Sequence, residues 1–484
     1  MTWGWGFWED RGMRRFFCWG FLFGVLGCAD VLGADLGGEV KGALRRAVGF
    51  YAEKVATHGG YVYYYSPDLS GRWGEGKATA DQVWVQVPGT PAVGGAFLTA
   101  FEATGDAFYL KAAEAAAEAL LYGQLASGGW TNAVDFDPKG SQVSLYRNGK
   151  GNKKGKNFST LDDGITPGVL RFLLRLEKVS RNGVSGWKEG IDVGLKALLE
   201  AQFPNGGFPQ GWTGPVEKRA VVKAKYPDYD WRTENRIKNY WEHYTLNDGV
   251  CGQVAWLLEE AVRLRGDVRC KEALVKLGEF LLLAQMPEPQ PGWAQQYDPE
   301  MQPIWARKFE PPAMAGRESE DAMLTLIRIA KLTREARFVA PIAAGRAWLE
   351  RSLLPNGKLS RYYELQSNKP LYMTDDYELT YDDSKLPKHY GWQNEPRLKE
   401  IDVAMAGLRP GGEVVKARPT EGEVRAILAA LDAEGKWVSA YDGEMMVGQP
   451  KFKVGEAYVS SAVFVANVEV LCGYLGGRTL NFER

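Results

Sequence analysis

A unit of two helices and a glycine-containing turn recurs along the chain, and this repeat restricts the fold more than any other feature. Each copy has an amphipathic helix, a short turn with glycine, and then an aromatic or apolar residue in a polar loop. Those residues lie about 65 to 85 positions apart, which leaves room for two helices and their connections; they are Tyr61, Trp130, Phe208, Trp293, Leu359 and Trp437. The repeat predicts a ring of helical hairpins.

The segments between the turns have the apolar period of helices. Residues 90–125, 249–286 and 319–354 each contain two such stretches, and alternation typical of strands is scarce. We therefore predict a mainly α fold, an α/α toroid that occupies residues 35–484 as one domain and carries long irregular loops. In such a ring the inner helices run parallel, so the residues that precede different inner helices meet on one rim.

Three regions do not repeat this plan. Residues 215–239 and 362–392 are polar and have no helical period, and long loops of that kind are usually functional. Residues 396–484 show no clear role of their own. We interpret them as the last helical hairpin, which closes the ring.

Charge and composition limit the kinds of ligand. The chain has 59 basic and 60 acidic residues, so a large basic surface for binding nucleic acid is not expected. An anionic ligand must instead be held by basic side chains within its own site. Aromatic residues make up 12% of the chain, which fits either large cores or clefts where sugar rings lie against aromatic faces. Beyond residue 34, Cys251, Cys270 and Cys472 are too few for a disulfide framework.

The first 34 residues are typical of a secretion signal. Arg11, Arg14 and Arg15 precede the apolar stretch FFCWGFLFGVLGC and the small-residue run ADVLGAD, and cleavage is expected after Ala34. The letters VLGC, which end at Cys28, weakly resemble a lipoprotein cleavage site, so a lipid-anchored form is the alternative to a secreted or periplasmic one. No later stretch reaches the ~18 apolar residues that a membrane span needs.

Adjacent polar residues precede two of the predicted inner helices. Asp162 and Asp163 stand in STLDDG, and Asn247 and Asp248 stand in YTLNDG. Aspartate and asparagine are favoured helix N-caps, so capping alone is one explanation. A helix needs one cap, however, and a second carboxylate beside it adds repulsion unless a cation neutralises it. The three aspartates with carbonyl or amide oxygens from Asn247 make a hard oxygen-ligand set suited to Ca²⁺. Zinc is disfavoured because His58, His243 and His389 are scattered.

Cations and aromatic residues are expected on the same rim. Arg307 and Arg317 precede another inner helix in a loop made rigid by prolines and aromatic residues, although loop arginines are often merely solvated. Arg361 and Lys369 stand in SRYYELQSNKPLY, within the second long loop. The turns with Trp130 and Phe208 follow outer helices, so they are expected to end on this rim and to contact a sugar.

Several motifs in order resemble the pectate lyases of polysaccharide lyase family 10. They are STLDDGITPGVLRFL, AQFPNGGFPQGW, HYTLNDG, AQQYDPEMQPIWARKFEPPAMAGRES and RYYELQSNKP, and the resemblance extends from about residue 85 to 395. It implies a mainly helical toroid that cleaves polygalacturonate by calcium-dependent β-elimination, with a polyuronate as the partner. We also expect a monomer.

The resemblance also implies roles for particular residues. Asp162, Asp163 and Asp248 take the positions of the calcium ligands, and Arg307 takes that of the catalytic arginine. Arg361 and Lys369 take positions of substrate binding. The family often has a further arginine where this chain reads MTDDYE, with Asp375 and Asp376. A differently substituted uronate is therefore an open alternative.

Three other functions fit parts of the sequence. A glycoside hydrolase on an α/α toroid needs two carboxylates about 5 to 9.5 Å apart and no metal, which the many acids allow. The QLASGGW and QFPNGGF turns resemble those of terpene cyclases, but Thr160 precedes LDD where an aspartate-rich acid motif requires Asp. A non-catalytic carbohydrate-binding protein is the third alternative.

Overall fold

The computed structural model describes residues 35–180, 185–233, 237–388, 390–409, 417–444, 446–448 and 450–476. The predicted secretion signal, residues 1–34, lies outside these described residues, and so does His389. Within them, no helix has the length and apolar character that crossing a bilayer requires. The three cysteines beyond residue 34 are buried thiols.

Twelve α-helices lie in the described residues, and the first four after α1 form two hairpins with short connections. They are α1 (Leu36–Phe50), α2 (Thr90–Thr104), α3 (Ala107–Tyr122), α4 (Ile165–Val179), α5 (Ser185–Glu200), α6 (Val250–Arg265), α7 (Val268–Ala284), α8 (Gly316–Thr333), α9 (Ile342–Arg351), α10 (Leu398–Ala406), α11 (Glu421–Ala430) and α12 (Ser461–Tyr474). Helix α1 continues as a π-helical turn, Tyr51–Val55.

The helices are arranged as a ring of inner helices with an outer layer. Helices α2, α4, α6 and α8 pack side by side in that order, α10 packs on α8, and α12 packs on α2. Helices α3, α5, α7 and α9 pack outside their partners, and α1 packs against α12. The prediction of an α/α toroid is confirmed. Close approach in the inner ring depends on small residues, because a Cβ at Gly94 of α2 would lie 2.7 Å from the Phe172 ring of α4.

The repeated aromatic residues belong to the core. Trp130 is fully buried, and its Nε1 donates to the Leu120 carbonyl of the preceding outer helix at 2.7 Å. Trp293 repeats this contact with Leu281 at 2.8 Å. Phe208 is also fully buried. The prediction that Trp130 and Phe208 contact a sugar is therefore wrong, because both rings are fully buried.

Sixteen short strands connect the helices on the rim. They are β1 (Tyr64–Tyr65), β2 (Arg72–Trp73), β3 (Gln82–Trp84), β4 (Ala133–Asp135), β5 (Ser159–Thr160), β6 (Gly211–Trp212), β7 (Tyr244–Thr245), β8 (Gln296–Tyr297), β9 (Met314–Ala315), β10 (Leu359–Ser360), β11 (Tyr362–Tyr363), β12 (Pro370–Met373), β13 (Leu379–Thr380), β14 (Gln393–Asn394), β15 (Val438–Ala440) and β16 (Ala457–Ser460), counted over the described residues.

The strand pairs follow the hairpin repeat. Strands β3, β5 and β7 precede inner helices and pair antiparallel with β4, β6 and β8, which follow the outer helix of the same hairpin. Each pair therefore holds the start of an inner helix against the turn that ends its hairpin. This ladder is the physical reason why the helix starts meet on one rim.

Two predicted regions differ from expectation. Residues 362–392 contain β11, β12 and β13, which form a four-stranded sheet with β9 in the order β13-β12-β11-β9, so this loop is not irregular. The C-terminal region holds α10, α11 and α12 rather than one hairpin, and its β16 pairs with β1 near the start of the described chain. In the described part of residues 215–239 no helix or strand forms, as expected.

Candidate active site

Two turns with the same backbone precede α4 and α6. Asp163 and Gly164 have φ of 46° and 68°, and Asp248 and Gly249 have φ of 54° and 67°. Aspartate is among the few residues other than glycine that enter this left-handed region, at a modest energetic cost. The Leu161 and Leu246 amides, one residue before each turn, donate to the Gln210 and Gln295 carbonyls at 2.8 and 2.9 Å. The LDDG and LNDG motifs are thus equivalent positions of neighbouring hairpins.

The aspartates of these turns do not cap the helices. The N-cap residues of α4 and α6 are Gly164 and Gly249, and no side chain accepts a capping hydrogen bond there. By contrast, Asp106 and Asp267 cap the outer helices α3 and α7 in the ordinary way. Capping alone is therefore wrong as an explanation for the inner-helix aspartates.

Neutral amide groups orient the three carboxylates instead. Gln86 Nε2 donates to Asp163 Oδ2 at 2.6 Å, and Gln210 Nε2 donates to Asp162 Oδ1 at 2.9 Å. Asn247 Nδ2 donates to Asp248 Oδ2 at 2.7 Å. Each carboxylate is fixed in place but receives no neutralising charge from its amide partner.

The three carboxylates meet at one point. Oxygen atoms of Asp162, Asp163 and Asp248 all lie within 4.8 Å of one another. Burial, together with repulsion from Asp163, raises the pKa of Asp162 to about 6. Burial and repulsion from Asp248 raise the pKa of Asp163 to about 7. Burial and Asp162 raise the pKa of Asp248 well above its usual value. Such a group is suited to a cation, which would favour the ionised form of all three.

Arg307 lies at the same site and is held by Glu310. Its backbone N–H donates to Glu310 Oε2 at 2.9 Å and its Nη2 donates to Oε1 at 2.5 Å. Its charge lowers the pKa of each of the three aspartates. Burial acts to lower the pKa of Arg307, but the Glu310 and Asp248 charges outweigh it and raise that pKa. Arg307 is therefore a firmly protonated cation when no metal offsets these carboxylates.

Arg361 forms the floor beneath the Asn247–Asp248 turn. It is 2% exposed, and its Nη2 donates to Asn247 Oδ1 and Glu318 Oε1, both at 3.2 Å. The Asn247 amide oxygen thus faces Arg361 rather than the aspartates, whereas ligation by the Asn247 carbonyl oxygen stays a prediction. The guanidinium also lies over the Tyr390 ring, 4.6 Å from its centroid. Arg317, in the first turn of α8, lowers the pKa of Asp163 from the other side.

Lys369 is exposed in the long loop of residues 362–392. Its Nζ is 5.3 Å from the centroid of the Tyr381 ring, and the Tyr381 hydroxyl donates to Glu364 at 2.5 Å. Arg232, from the other long loop, pairs with the same Glu364 carboxylate. The long loops of residues 215–239 and 362–392 therefore join through the Arg232–Glu364 pair, and Lys369 is a second cation in this region. Asp375 and Asp376 are exposed in the turn between β12 and β13.

Several site residues were not apparent in the sequence. Glu310 stands three residues after Arg307, and this spacing indicates that the two side chains can form an ion pair. Gln86, Gln210 and Glu318 carried no comparable signal, because each reaches the site from a residue far away in the chain.

Part of the chain that forms this site matches a known protein family. Residues 124–360 match the family described as pectic acid lyase, a segment that contains all three aspartates and Arg307. No curated protein matches the chain.

Solved structures resemble the fold at low identity. The family 10 polysaccharide lyase from Cellvibrio cellulosa is 20% identical over 64% of this chain and 96% of its own, with a TM-score of 0.46. A variant of that enzyme in complex with trigalacturonic acid is 18% identical over 64% of this chain and 98% of its own, also with a TM-score of 0.46. A D-mannose isomerase is 12% identical over 91% and 98% of the two chains, with a TM-score of 0.46.

The sequence match, rather than these distant folds, decides the assignment. The matched segment carries the STLDDG and YTLNDG turns and the WARKFEPP loop, and the structure brings these three motifs to one point. The chain is an enzyme of the lyase class and contains, over residues 124–360, a pectic acid lyase domain.

Proposed function

We propose that this enzyme is exported and cleaves polygalacturonate, or a closely related polyuronate, by calcium-dependent β-elimination. The observation that carries the proposal is the meeting of three aspartates, from the starts of two inner helices, with a buried arginine. A hydrolase would need one carboxylic acid and one carboxylate set apart by the sugar, whereas these three oxygens lie within 4.8 Å of one another.

The donor set fits calcium. Asp162, Asp163 and Asp248 offer hard carboxylate oxygens, and burial together with their mutual repulsion raises their pKa values, which a bound cation would offset. Bound there, calcium would neutralise the C6 carboxylate of a uronate and stabilise the negative charge that develops on it during elimination. Gln86 and Gln210 would keep the aspartates in position before and after binding.

We assign proton removal to Arg307. In the reaction the C5–H bond breaks, its electron pair forms the C4–C5 double bond, and the C4–O bond breaks so that the glycosidic oxygen leaves. Arg307 can accept the C5 proton only in its neutral form, which the adjacent carboxylates oppose. A divalent cation bound to Asp248 would offset part of the carboxylate charge that keeps Arg307 protonated. Glu310 would hold the guanidinium in one orientation through its two hydrogen bonds.

The remaining cations would bind the anionic chain. Arg361 is 2% exposed, so we propose that it attracts a substrate carboxylate from the floor of the site while it supports Asn247. Lys369 is exposed and is the candidate for direct contact with a neighbouring uronate.

Export and domain organisation follow from the sequence. We propose that residues 1–34 are removed as a signal and that residues 35–484 act as one catalytic domain and as a monomer. Packing of α12 on both α1 and α2 supports a single domain, because the two ends of the chain pack together.

A single assay tests the reaction type. Purified enzyme is mixed with polygalacturonate and calcium, and ultraviolet absorbance is followed before and after a chelator is added. We expect absorbance from a C4–C5 double bond to rise and then to stop with the chelator. Chain cleavage without this absorbance would establish hydrolysis, and a rate unaffected by the chelator would refute the calcium assignment.

A further inference from the structure

The turn between β12 and β13 carries an aromatic residue where glycine is the usual choice. Asp375, Asp376 and Tyr377 form a three-residue loop, because the Thr374 amide before them donates to the Glu378 carbonyl after them at 2.9 Å. The third residue of such a loop adopts the left-handed conformation, and Tyr377 has φ of 65°. A large side chain is strained there, whereas glycine is not. A tyrosine at this position therefore needs an explanation.

Packing in the core does not explain Tyr377, because this residue is at the surface. It is 39% exposed, and its hydroxyl has no hydrogen-bond partner among the described residues. Its ring stacks on that of Phe309, with the ring centroids 6.2 Å apart and the planes at 29°. Phe309 is 7% exposed, so it supports the tyrosine ring from the protein side. The turn thus presents a supported aromatic ring to the solvent.

Phe309 connects this ring to the candidate active site. The guanidinium carbon of Arg307 lies 5.1 Å from the centroid of the Phe309 ring. Phe309 also packs edge-to-face on Tyr390, with 4.9 Å between centroids, and the Tyr390 hydroxyl donates to Glu310 Oε1 at 3.1 Å. Glu310 is the carboxylate that holds Arg307. The Tyr377 ring is therefore separated by a single shared neighbour from the group to which we assign proton removal.

The charges on this turn do not favour an acidic polymer. Asp375, Asp376 and Glu378 are all exposed. Lys308 is also exposed, and its Nζ lies 5.8 Å from the centroid of the Tyr377 ring. Three carboxylates and one ammonium group leave the turn without an excess of positive charge. An attraction for a polyuronate at this turn must therefore come from the apolar surface of the ring.

We propose that Tyr377 is a platform for a sugar residue beside the one that reacts, and that this subsite accepts a uronate whose carboxyl group is free or esterified. The C–H face of the sugar would lie against the exposed part of the tyrosine ring, and the contact would orient the chain towards Arg307. The inference rests on the proposed function, because it takes a polyuronate as the ligand. It adds a substrate class, the partly methyl-esterified polyuronates, in which the sugar at the calcium site is unesterified. Tyr377 lies beyond residue 360, where the family match ends.

Steady-state kinetics on two substrates test the platform. Tyr377→Asn removes the ring and suits the left-handed backbone, whereas Tyr377→Phe keeps the ring. We expect Tyr377→Asn to raise KM about fivefold for polygalacturonate and for partly methyl-esterified polygalacturonate alike, at low and at high salt, because salt does not screen a contact with a ring. Tyr377→Phe should keep the wild-type KM.

A matched control replaces another exposed apolar residue by asparagine. Val268 is 65% exposed and begins α7, directly after α6, so it lies at the opposite end of α6 from the Asp248 turn. Val268→Asn should leave KM unchanged on both substrates. Thermal melting of each variant establishes that it is folded before its kinetics are compared.

The outcomes separate this inference from the proposed function. An unchanged KM in Tyr377→Asn, or an equal rise in Tyr377→Phe, would overturn the platform. A rise confined to polygalacturonate, or one that high salt abolishes, would show that charge dominates at this turn and would overturn the acceptance of an ester. If neither polymer yields an unsaturated product, the proposed reaction is refuted. Equilibrium binding of both polymers to the wild type and Tyr377→Asn then decides the platform, which weaker binding by the variant supports and equal binding overturns.

Discussion

Removing one charge from the aspartate cluster should have opposite effects on stability with and without calcium. Asp163→Asn is the suitable change because asparagine also tolerates φ of 46° and keeps an oxygen to accept from Gln86. In the calcium-free enzyme Asp163 has a pKa of about 7 against 3.8 for the free side chain. The folded state thus holds a proton that the unfolded state releases between these values, so wild-type stability falls as the pH rises through this range.

The magnitude follows from that difference. At about 1.4 kcal/mol for each pH unit, the charge costs up to roughly 4 kcal/mol by pH 8, and we halve this to about 2 kcal/mol because the side chain is partly exposed to screening water. Asp163→Asn should therefore raise the Tm of the calcium-free enzyme by about 2 °C at pH 8. The gain should shrink towards pH 4, where the folded state of the wild type is protonated and the unfolded state is partly so.

Saturating calcium should reverse the order of the wild-type and Asp163→Asn melting temperatures. The wild type gains the free energy of binding, and the variant has lost a ligand, so its Tm should fall below that of the wild type. The assay is calorimetric melting at pH 4, 6 and 8, with chelator or with calcium, and Asp137→Asn is the matched control because Asp137 lies outside the cluster. A variant that melts lower than the wild type without calcium at pH 8 would show that repulsion among these carboxylates is not the dominant interaction.

Three further substitutions test separate parts of the site. Arg307→Ala should lower kcat at least about 1,000-fold while calorimetry still shows calcium binding; near-normal turnover would exclude Arg307 as the base. Lys369→Ala should raise KM for polygalacturonate about fivefold with kcat unchanged, and an equal loss in kcat would place Lys369 in the chemical step. Trp130→Ala should lower the free energy of unfolding by about 3 to 5 kcal/mol with KM unchanged in the remaining folded enzyme. A selective rise in KM with normal Tm would restore Trp130 as a sugar contact.

The hairpin repeat can be predicted from the sequence because it depends on the spacing of residues that are close together in the chain. Helical period, the glycine turns and their spacing predicted the toroid, and the equal position of LDDG and LNDG before inner helices predicted that their aspartates meet. The structure confirms both points. The aromatic residues of the same repeat were misread, since a tryptophan after a turn has the same local pattern whether it faces a sugar or its own hairpin. Only the contact of Trp130 Nε1 with Leu120 distinguishes the two.

The partners of the site residues had no local pattern at all. Gln86 reaches Asp163 across 77 positions of the chain, and Gln210 reaches Asp162 across 48. A glutamine in a polar loop is the same in sequence whether it is solvated or buried against a carboxylate.

Periodicity and residue type therefore predict the repeating architecture, the residues able to bind a cation and the meeting of their aspartates on one rim. How strongly these carboxylates repel one another, and that Arg307 lies buried beside them, depend on the tertiary structure. Those properties depend on distance and burial, and contacts between residues far apart in the chain set both.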